Sequence, residues 1–396
     1  MSLESLVAPL ADRPGTVWLD GGATSWSLAS WDPVEVFTGP DWVAAGRRMS
    51  RPSPSQDGPF GGGILGFLAY PGDGGDPPVW LGRFEGGVAH HPVHGWHVAG
   101  SRGFQADARR RLAELRPLPP PTSAGRPREV TTWSRLAYDA AFQRIQALLA
   151  AGDCYQVNLT RGVHARGVGP PSFDAYRRLR SRSDAPFGAW IRVSPEVAIL
   201  SNSPELLLRV TAEGLAVSEP IKGTRPRIDG RERALADELE RSPKERAELA
   251  MIVDLVRNDL GRVSRVGGVR HHPRVIQRHA TVLHASQRVE ADLATDGWAA
   301  LEALFPAGSV TGAPKRRAME RIAELEAEPR GVYCGAIGYA ADGGAMAWSV
   351  AIRTAIWTRD DLRFHVGGGI VSGADADAEW AETEHKGLAL ADALIG

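Results

Sequence analysis

Apolar positions Tyr138, Phe142, Ile145, Leu148 and Leu149 recur at helical spacing and stop at Gly152, which predicts a helix ending there. Residues 105–116 read as a shorter helix. Ser242-Pro243-Lys244-Glu245 is a helix-start pattern: a capping serine, proline at the first helical position and glutamate three residues on. That helix runs through Met251 and Val256 to about Gly261. Ala313-Pro314 opens another, to about Glu326, and Ala374 to Leu394 reads as the last. Cys154 to Arg161, Val197 to Ser201, Val332 to Tyr339 and Met346 to Thr354 read as strands. The first 110 residues have a different texture, with short apolar runs, Trp, Gly and turns such as Pro71-Gly72-Asp73-Gly74-Gly75, and so predict short strands and loops. Pro117 through Gly125 is a stiff, Pro-rich connector, readable as a domain linker or as a surface loop. The expected division is 1–130 and 131–396.

Composition narrows the class. At 396 residues, 43% apolar and 23% charged, the chain can bury a large core. A formal net charge of −1 argues against nucleic acid or a membrane surface as partner. Two cysteines are too few for a disulfide framework or a cysteine zinc site. No apolar run nears the roughly 20 residues that span a bilayer. The N-terminus, with Glu4 and Asp12, lacks the basic and apolar regions of a signal peptide. The cytoplasm is the expected location.

Four features could carry chemistry. Lysine is scarce: Lys222, Lys244, Lys315 and Lys386 stand among 46 Lys and Arg residues. A desolvated lysine can shed its proton and attack an electrophile, which arginine cannot. Lys222, in Pro220-Ile221-Lys222-Gly223-Thr224-Arg225-Pro226-Arg227, has Arg225 and Arg227 nearby to discourage protonation. Glu245 and Glu248, like Glu379 and Glu382, are three apart and share one helical face, so the two pairs could converge on a hard cation. Glu245 reads equally as a helix cap and Glu379 as a solvated charge, whereas no cap explains Glu248 or Glu382. The glycine-bearing stretches Gly308 to Lys315 and Val366 to Val371 fit neither GxxxxGK[ST] nor GxGxxG, and read as structural turns or as ligand cradles. Arg353, in an apolar run, needs an anion: a structural carboxylate or a substrate carboxylate.

Together with further stretches, these segments resemble the chorismate-utilising enzymes: anthranilate synthase component I, aminodeoxychorismate synthase component I, and the isochorismate and salicylate synthases. The matching stretches are Asp153-Cys154-Tyr155-Gln156-Val157-Asn158-Leu159, Ser203-Pro204-Glu205, Pro220 through Thr224, Glu245 through Gly261 (ERAELAMIVDLVRNDLG) and Val282-Leu283-His284. They continue with Gly308 through Lys315 (GSVTGAPK), Arg330 through Tyr339 (RGVYCGAIGY), Ala351 through Thr354, Val366 through Val371 and Glu379 through Lys386 (EWAETEHK). They keep the family's order over residues 135–396; the first 130 match more loosely.

The resemblance implies an α+β fold of the anthranilate synthase component I type, two crossed antiparallel β-sheets with helices packed outside. It implies Mg2+ held by Glu248 and Glu382, with Glu245 and Glu379 close by. Tyr333, Arg353 and the backbone of Gly367, Gly368 and Gly369 would bind the carboxylates of chorismate. Gly223 and Thr224 would contact ring substituents, with Gln156, Thr311 and Lys386 also in the substrate site. Glu205 would be the general acid, and His284 would lie beside the ring. Lys222 selects the subtype: the aminodeoxychorismate-forming members carry lysine there, whereas anthranilate and salicylate synthases usually carry alanine. Gln156 replaces the lysine base of the water-adding members. The implied reaction is chorismate plus ammonia to 4-amino-4-deoxychorismate, on the path to 4-aminobenzoate and folate. Neither cysteine sits in a Gly-x-Cys-x-Gly elbow, so ammonia is expected from a separate glutamine amidotransferase subunit. The alternatives are an anthranilate synthase and an inactive chorismate-binding regulatory subunit. Leu19-Asp20-Gly21-Gly22 replaces the Leu-Leu-Glu-Ser element of tryptophan-inhibited relatives, so tryptophan inhibition is not expected.

Overall fold

The computed structural model describes residues 2–23, 25–52, 58–72, 78–182, 185–279 and 282–396; most of the turn read at 71–75 lies outside them. Two large sheets and one small sheet, all of antiparallel pairs among the described residues, form an α+β framework. The first sheet centres on the long strands Gln156–Arg166 and Asp361–Val371, paired along their whole length. The second runs from Ser264–His271 through Leu206–Val210 and Met346–Val350 to Glu35–Phe37. The small sheet joins Ile221–Pro226, Val282–Ser286 and Val275–Arg278.

Two ribbons of paired strands cross from one sheet to another, and the crossings position the chemistry. Val197–Ser203 pairs with Thr354–Thr358 in the first sheet, while their continuations, Leu206–Val210 and Met346–Val350, pair in the second. The chain bends at Pro204-Glu205 on one strand and at residues 351–353 on the other. Three hydrogen bonds clamp the bend: Val350 N–H to Glu205 O at 3.0 Å, Asn202 N–H to Arg353 O at 3.1 Å, and Ser203 Oγ–H to Val350 O at 2.6 Å. The second ribbon pairs Leu215–Glu219 with Val289–Leu293 in the second sheet. It then bends at Pro220, and Ile221–Pro226 and Val282–Ser286 pair in the small sheet.

The strand expected over Met346 to Thr354 is therefore two strands. Its break falls on Arg353, which adopts φ 51, a left-handed conformation that a non-glycine residue holds only when its surroundings demand it. The apolar run concealed this because both halves are buried. Val332 to Tyr339 is likewise shorter than expected: the strand is Ala336–Ala341, preceded by a turn.

The helices follow their patterns more closely. Arg135–Ala150 buries Tyr138, Phe142, Ile145, Leu148 and Leu149. Pro243–Gly261 buries Leu249, Ile252, Val253, Val256 and Leu260, a continuous inward stripe. In Ala376–Leu394 the inward positions include Glu379, Thr383 and Leu390. Trp42–Met49, Phe173–Arg182, Glu232–Arg241 and Gly297–Leu304 are helices that the sequence reading passed over. The Pro-rich connector is a pinned surface loop: Thr122 N–H and Oγ–H donate to Asp174, and Arg177 and Arg178 donate to the carbonyls of Pro119 and Thr122. Strands from the first 100 residues extend both large sheets. No helix among the described residues is long and apolar enough to cross a membrane.

Candidate active site

Lys222 follows the bend at Pro220, on a strand whose next residue takes φ +83. Gly223 is required there: a Cβ would lie 2.7 Å from Leu239 Cδ1 and 2.8 Å from Glu245 Oε2. The Lys222 side chain is only 15% exposed, and its Nζ lies 3.9 Å from Glu248 Oε2. A Cβ on Gly369, in the strand Asp361–Val371, would come within 3.0 Å of both Lys222 Nζ and the Gln156 amide. The glycine thus opens the space in which lysine and glutamine meet. Both polar atoms of the Gln156 amide are buried without a protein hydrogen-bond partner, an arrangement suited to a polar ligand.

Glu205 sits at the sheet crossing, 4% exposed. Burial pushes its carboxyl up to about 7, against the opposing pull of Ser309, Lys222 and the Ile221 backbone. Ser309 gives the largest of these opposing pulls, through its side-chain hydroxyl beside the carboxyl. Glu205, Ser309, Ser218 and Pro220 line a narrow cleft backed by Ile252 and Val256 of the helix that bears Glu248. Ser309 lies inside the GSVTGAPK stretch, where nothing in the sequence distinguishes it from its neighbours.

His284 pairs in register with Thr224, whose Oγ lies 2.9 Å from His284 Nδ1. Burial, with Arg353 nearby, pushes this imidazole down to about 3, so it is neutral at physiological pH. Its Nε2 is buried with no partner and remains available to a ligand. Arg353 makes no ion pair with any described carboxylate, and burial alone lowers its pKa. An arginine so placed suits an anionic ligand, whose charge would compensate its desolvation.

The carboxylates come from two helices. Ser242 accepts from Glu245 N–H, but Ser242 N–H donates to Glu238 O. The capping box is therefore half-formed, and the Glu245 carboxylate turns instead to Arg225, 3.4 Å away. Glu379 is a buried residue rather than a solvated helix charge. Burial raises the carboxyls of Glu248 and Glu379. Glu245 and Glu382 add to the shift of the first, and Glu382 and Glu248 to that of the second. Partial desolvation works to raise Glu382, whose side chain is half-exposed, but Lys386 at 2.6 Å holds it below its usual range. Lys386 also donates to Gly367 O at 2.9 Å, tying the glycine strand to this helix.

No three Asp, Glu, His or Cys side chains among the described residues stand close enough together to hold a metal ion as they are. The donor set nonetheless fits one hard cation. Glu248 Oε1 is buried without a hydrogen bond, Glu379 Oε2 would lie 3.1 Å from a Cβ on Gly368, and the carboxylates repel one another. Magnesium takes one or two carboxylates and keeps several waters, so one glutamate from each helix is enough.

Other expected residues stand apart. Thr311 gives its hydroxyl to Ala307 O at 2.9 Å. Tyr333 stacks on His365, with ring centroids 5.6 Å apart, two residues before Gly367. Arg225 pairs with Glu238 and Glu245, and Arg227 with Glu232, so these cations are matched by carboxylates and do not crowd Lys222 as their spacing suggested. In the sequence only its rarity distinguishes Lys244. It lies 3.5 Å from Glu379 Oε1 and 3.9 Å from Glu248 Oε1. Its i,i+4 spacing to Glu248 was the available signal.

The sequence matches the family described as chorismate binding enzyme over residues 71–392. It is 37% identical over 361 residues to aminodeoxychorismate synthase component 1 of Salmonella typhimurium, covering 85% of this chain and 77% of that one. The same-named protein of Klebsiella aerogenes is 45% identical over 258 residues, 64% of this chain and 56% of that one. Anthranilate synthase component 1 of Streptomyces coelicolor is 35% identical over 425 residues, 96% and 82% of the two chains. Among solved structures, anthranilate synthase component I from Streptococcus pneumoniae TIGR4 superposes with a TM-score of 0.82 at 28% identity, covering 92% of each chain. The menaquinone-specific isochorismate synthase of Escherichia coli gives 0.80 at 19% identity and shares the fold. The expected anthranilate-synthase-like α+β fold is the one observed.

Proposed function

This chain belongs to the chorismate binding enzyme family, and we propose that it converts chorismate and ammonia to 4-amino-4-deoxychorismate, with Lys222 as nucleophile and Glu205 as general acid. The observation that carries the reading is the lysine itself. Relatives of both product types match most of the chain, so overall similarity does not choose between them. An amine in the space that Gly369 leaves open, beside the buried carboxyl of Glu205, suits amination through a covalent intermediate.

The chemistry follows from what each group can do. Hydroxide is a poor leaving group. Protonated Glu205 gives its proton to the C4 hydroxyl, which departs as water. The neutral Lys222 amine forms a bond to C2 as the ring double bonds shift toward C4. Ammonia then bonds to C4, the double bonds shift back, and the C2–N bond to lysine breaks. The new ammonium group gives up one proton, which restores the Glu205 acid, and the balance is chorismate plus ammonia giving aminodeoxychorismate plus water. One difficult substitution becomes two easier ones. Arg353 supplies a fork for one carboxylate, and neutral His284 offers Nε2 to the ring. Glu248 and Glu382, with Glu245 and Glu379 behind them, would hold Mg2+, whose charge would anchor the ring carboxylate. A separate glutamine amidotransferase subunit would supply the ammonia, and free ammonium would replace it in vitro.

Product analysis tests the reading. The purified chain with chorismate, MgCl2 and ammonium should accumulate aminodeoxychorismate, resolved by chromatography and mass. Anthranilate fluorescence in its place would make it an anthranilate synthase, and no turnover would favour an inactive subunit. Arg353→Leu should raise the KM for chorismate by about tenfold or more while changing kcat less, because the fork acts mainly on the bound ground state. An unchanged KM would remove Arg353 from the substrate site.

A further inference from the structure

Lys244 has no part in the reaction above, and its position in the helix is unfavourable. Ser242 caps the helix and Pro243 is its first residue, so Lys244 stands at the second position, where the helix dipole disfavours a cation. The two carboxylates that it faces account for it. Its ammonium lies 3.5 Å from Glu379 Oε1 on helix Ala376–Leu394 and 3.9 Å from Glu248 Oε1 on its own helix. The second separation is too long for a hydrogen bond, and Glu248 Oε1 is left without one.

The geometry points to Lys244 as a resident counter-ion that bridges the two carboxylate helices and must be displaced before a divalent cation can bridge them. The inference rests on the magnesium reading above and adds a competitor built into the site. The side chain suits that part: it is 57% exposed, a single charge on a flexible stem, able to swing into solvent without disturbing the core. Glu248 and Glu379 are by contrast largely buried. In the metal-free protein the lysine offsets part of the repulsion among the four glutamates and keeps the helices facing one another. On binding, a doubly charged ion takes over both duties. Metal affinity is thereby reduced by the cost of breaking two charge contacts, which favours exchange over permanent retention of the ion.

The test is calorimetric titration of MgCl2 into the full chain without substrate, on wild type, Lys244→Gln and Lys244→Arg, with circular dichroism to establish folding. Removing one positive charge a few ångströms from a divalent ion should tighten Mg2+ binding in Lys244→Gln by roughly tenfold. Lys244→Arg, which keeps the charge, should stay near wild type. In EDTA, Lys244→Gln should melt below wild type, and saturating Mg2+ should close the gap. Clear Mg2+ binding with the same or weaker affinity in Lys244→Gln overturns the counter-ion and leaves the magnesium reading standing. A lowered melting temperature with unchanged affinity also overturns it, since the lysine would then be only a tether. If no variant binds Mg2+, the magnesium reading falls and the counter-ion with it.

Discussion

Lys222→Ala is expected to abolish the covalent adduct with chorismate and to lower ammonium-dependent turnover by roughly three orders of magnitude or more. Without a nucleophile at C2, ammonia must displace the C4 hydroxyl in one step, and it is the Lys222 amine that a Cβ on Gly369 would meet, at 3.0 Å. Intact-mass measurement after incubation with chorismate alone should show wild type heavier by chorismate less water, and the variant unmodified. The substitution should leave the fold intact, because Lys222 lies outside the hydrophobic clusters and its charge contact with Glu248 is long, at 3.9 Å. Lys222→Arg separates two explanations. It restores the positive charge facing Glu248 but cannot attack, so it should be as inactive as alanine. Activity in Lys222→Arg would mean that the charge matters and the amine does not. Near-wild-type turnover in Lys222→Ala would remove the nucleophile and with it the strongest argument for this product.

The sequence disclosed the parts of the site better than their arrangement. Helical spacing placed Glu245 with Glu248 and Glu379 with Glu382, because 3.6-residue periodicity is a local property. It could not show that Glu379 faces inward, which depends on the packing of helix Ala376–Leu394 against the first sheet. Nor could it show that Glu245 abandons its cap for Arg225. An arginine in an apolar run signals the need for an anion at Arg353, yet the run itself reads as one strand. The crossing between sheets is set by long-range pairing of Val197–Ser203 and Leu206–Val210, and nothing in an apolar run marks where it ends. Lys244 was visible as a rare residue but had no meaning until two helices more than a hundred positions apart were brought together. Ser309 is a residue of the same kind, plain in sequence and placed by the fold beside the one buried acid that the reaction needs.

That acid yields the second large effect. Glu205→Gln keeps the shape of the side chain and its capacity to hydrogen-bond but removes the transferable proton, so kcat should fall by about 10²- to 10⁴-fold with little change in KM. The pH dependence gives the sharper test. Because burial raises the carboxyl to about 7, wild-type turnover should fall on the alkaline side as the acid loses its proton, and Glu205→Gln should lose that limb. Stability should follow the same group. The folded protein holds this proton more tightly than the unfolded chain does, so the contribution is complete below the ordinary value of 4.5 and is lost as pH rises through about 7. Glutamine cannot ionise, so the melting temperature of Glu205→Gln should vary less than that of wild type between pH 5 and 8, and should exceed it at the upper end if the amide is accommodated. A variant that turns over at near-wild-type rate with the alkaline limb intact would show that another group protonates the leaving hydroxyl. Loss of activity with an unchanged pH–stability curve would show that Glu205 is catalytic but ionised throughout. The burial of the carboxyl, whose backbone carbonyl is clamped at the sheet crossing, argues for the proton.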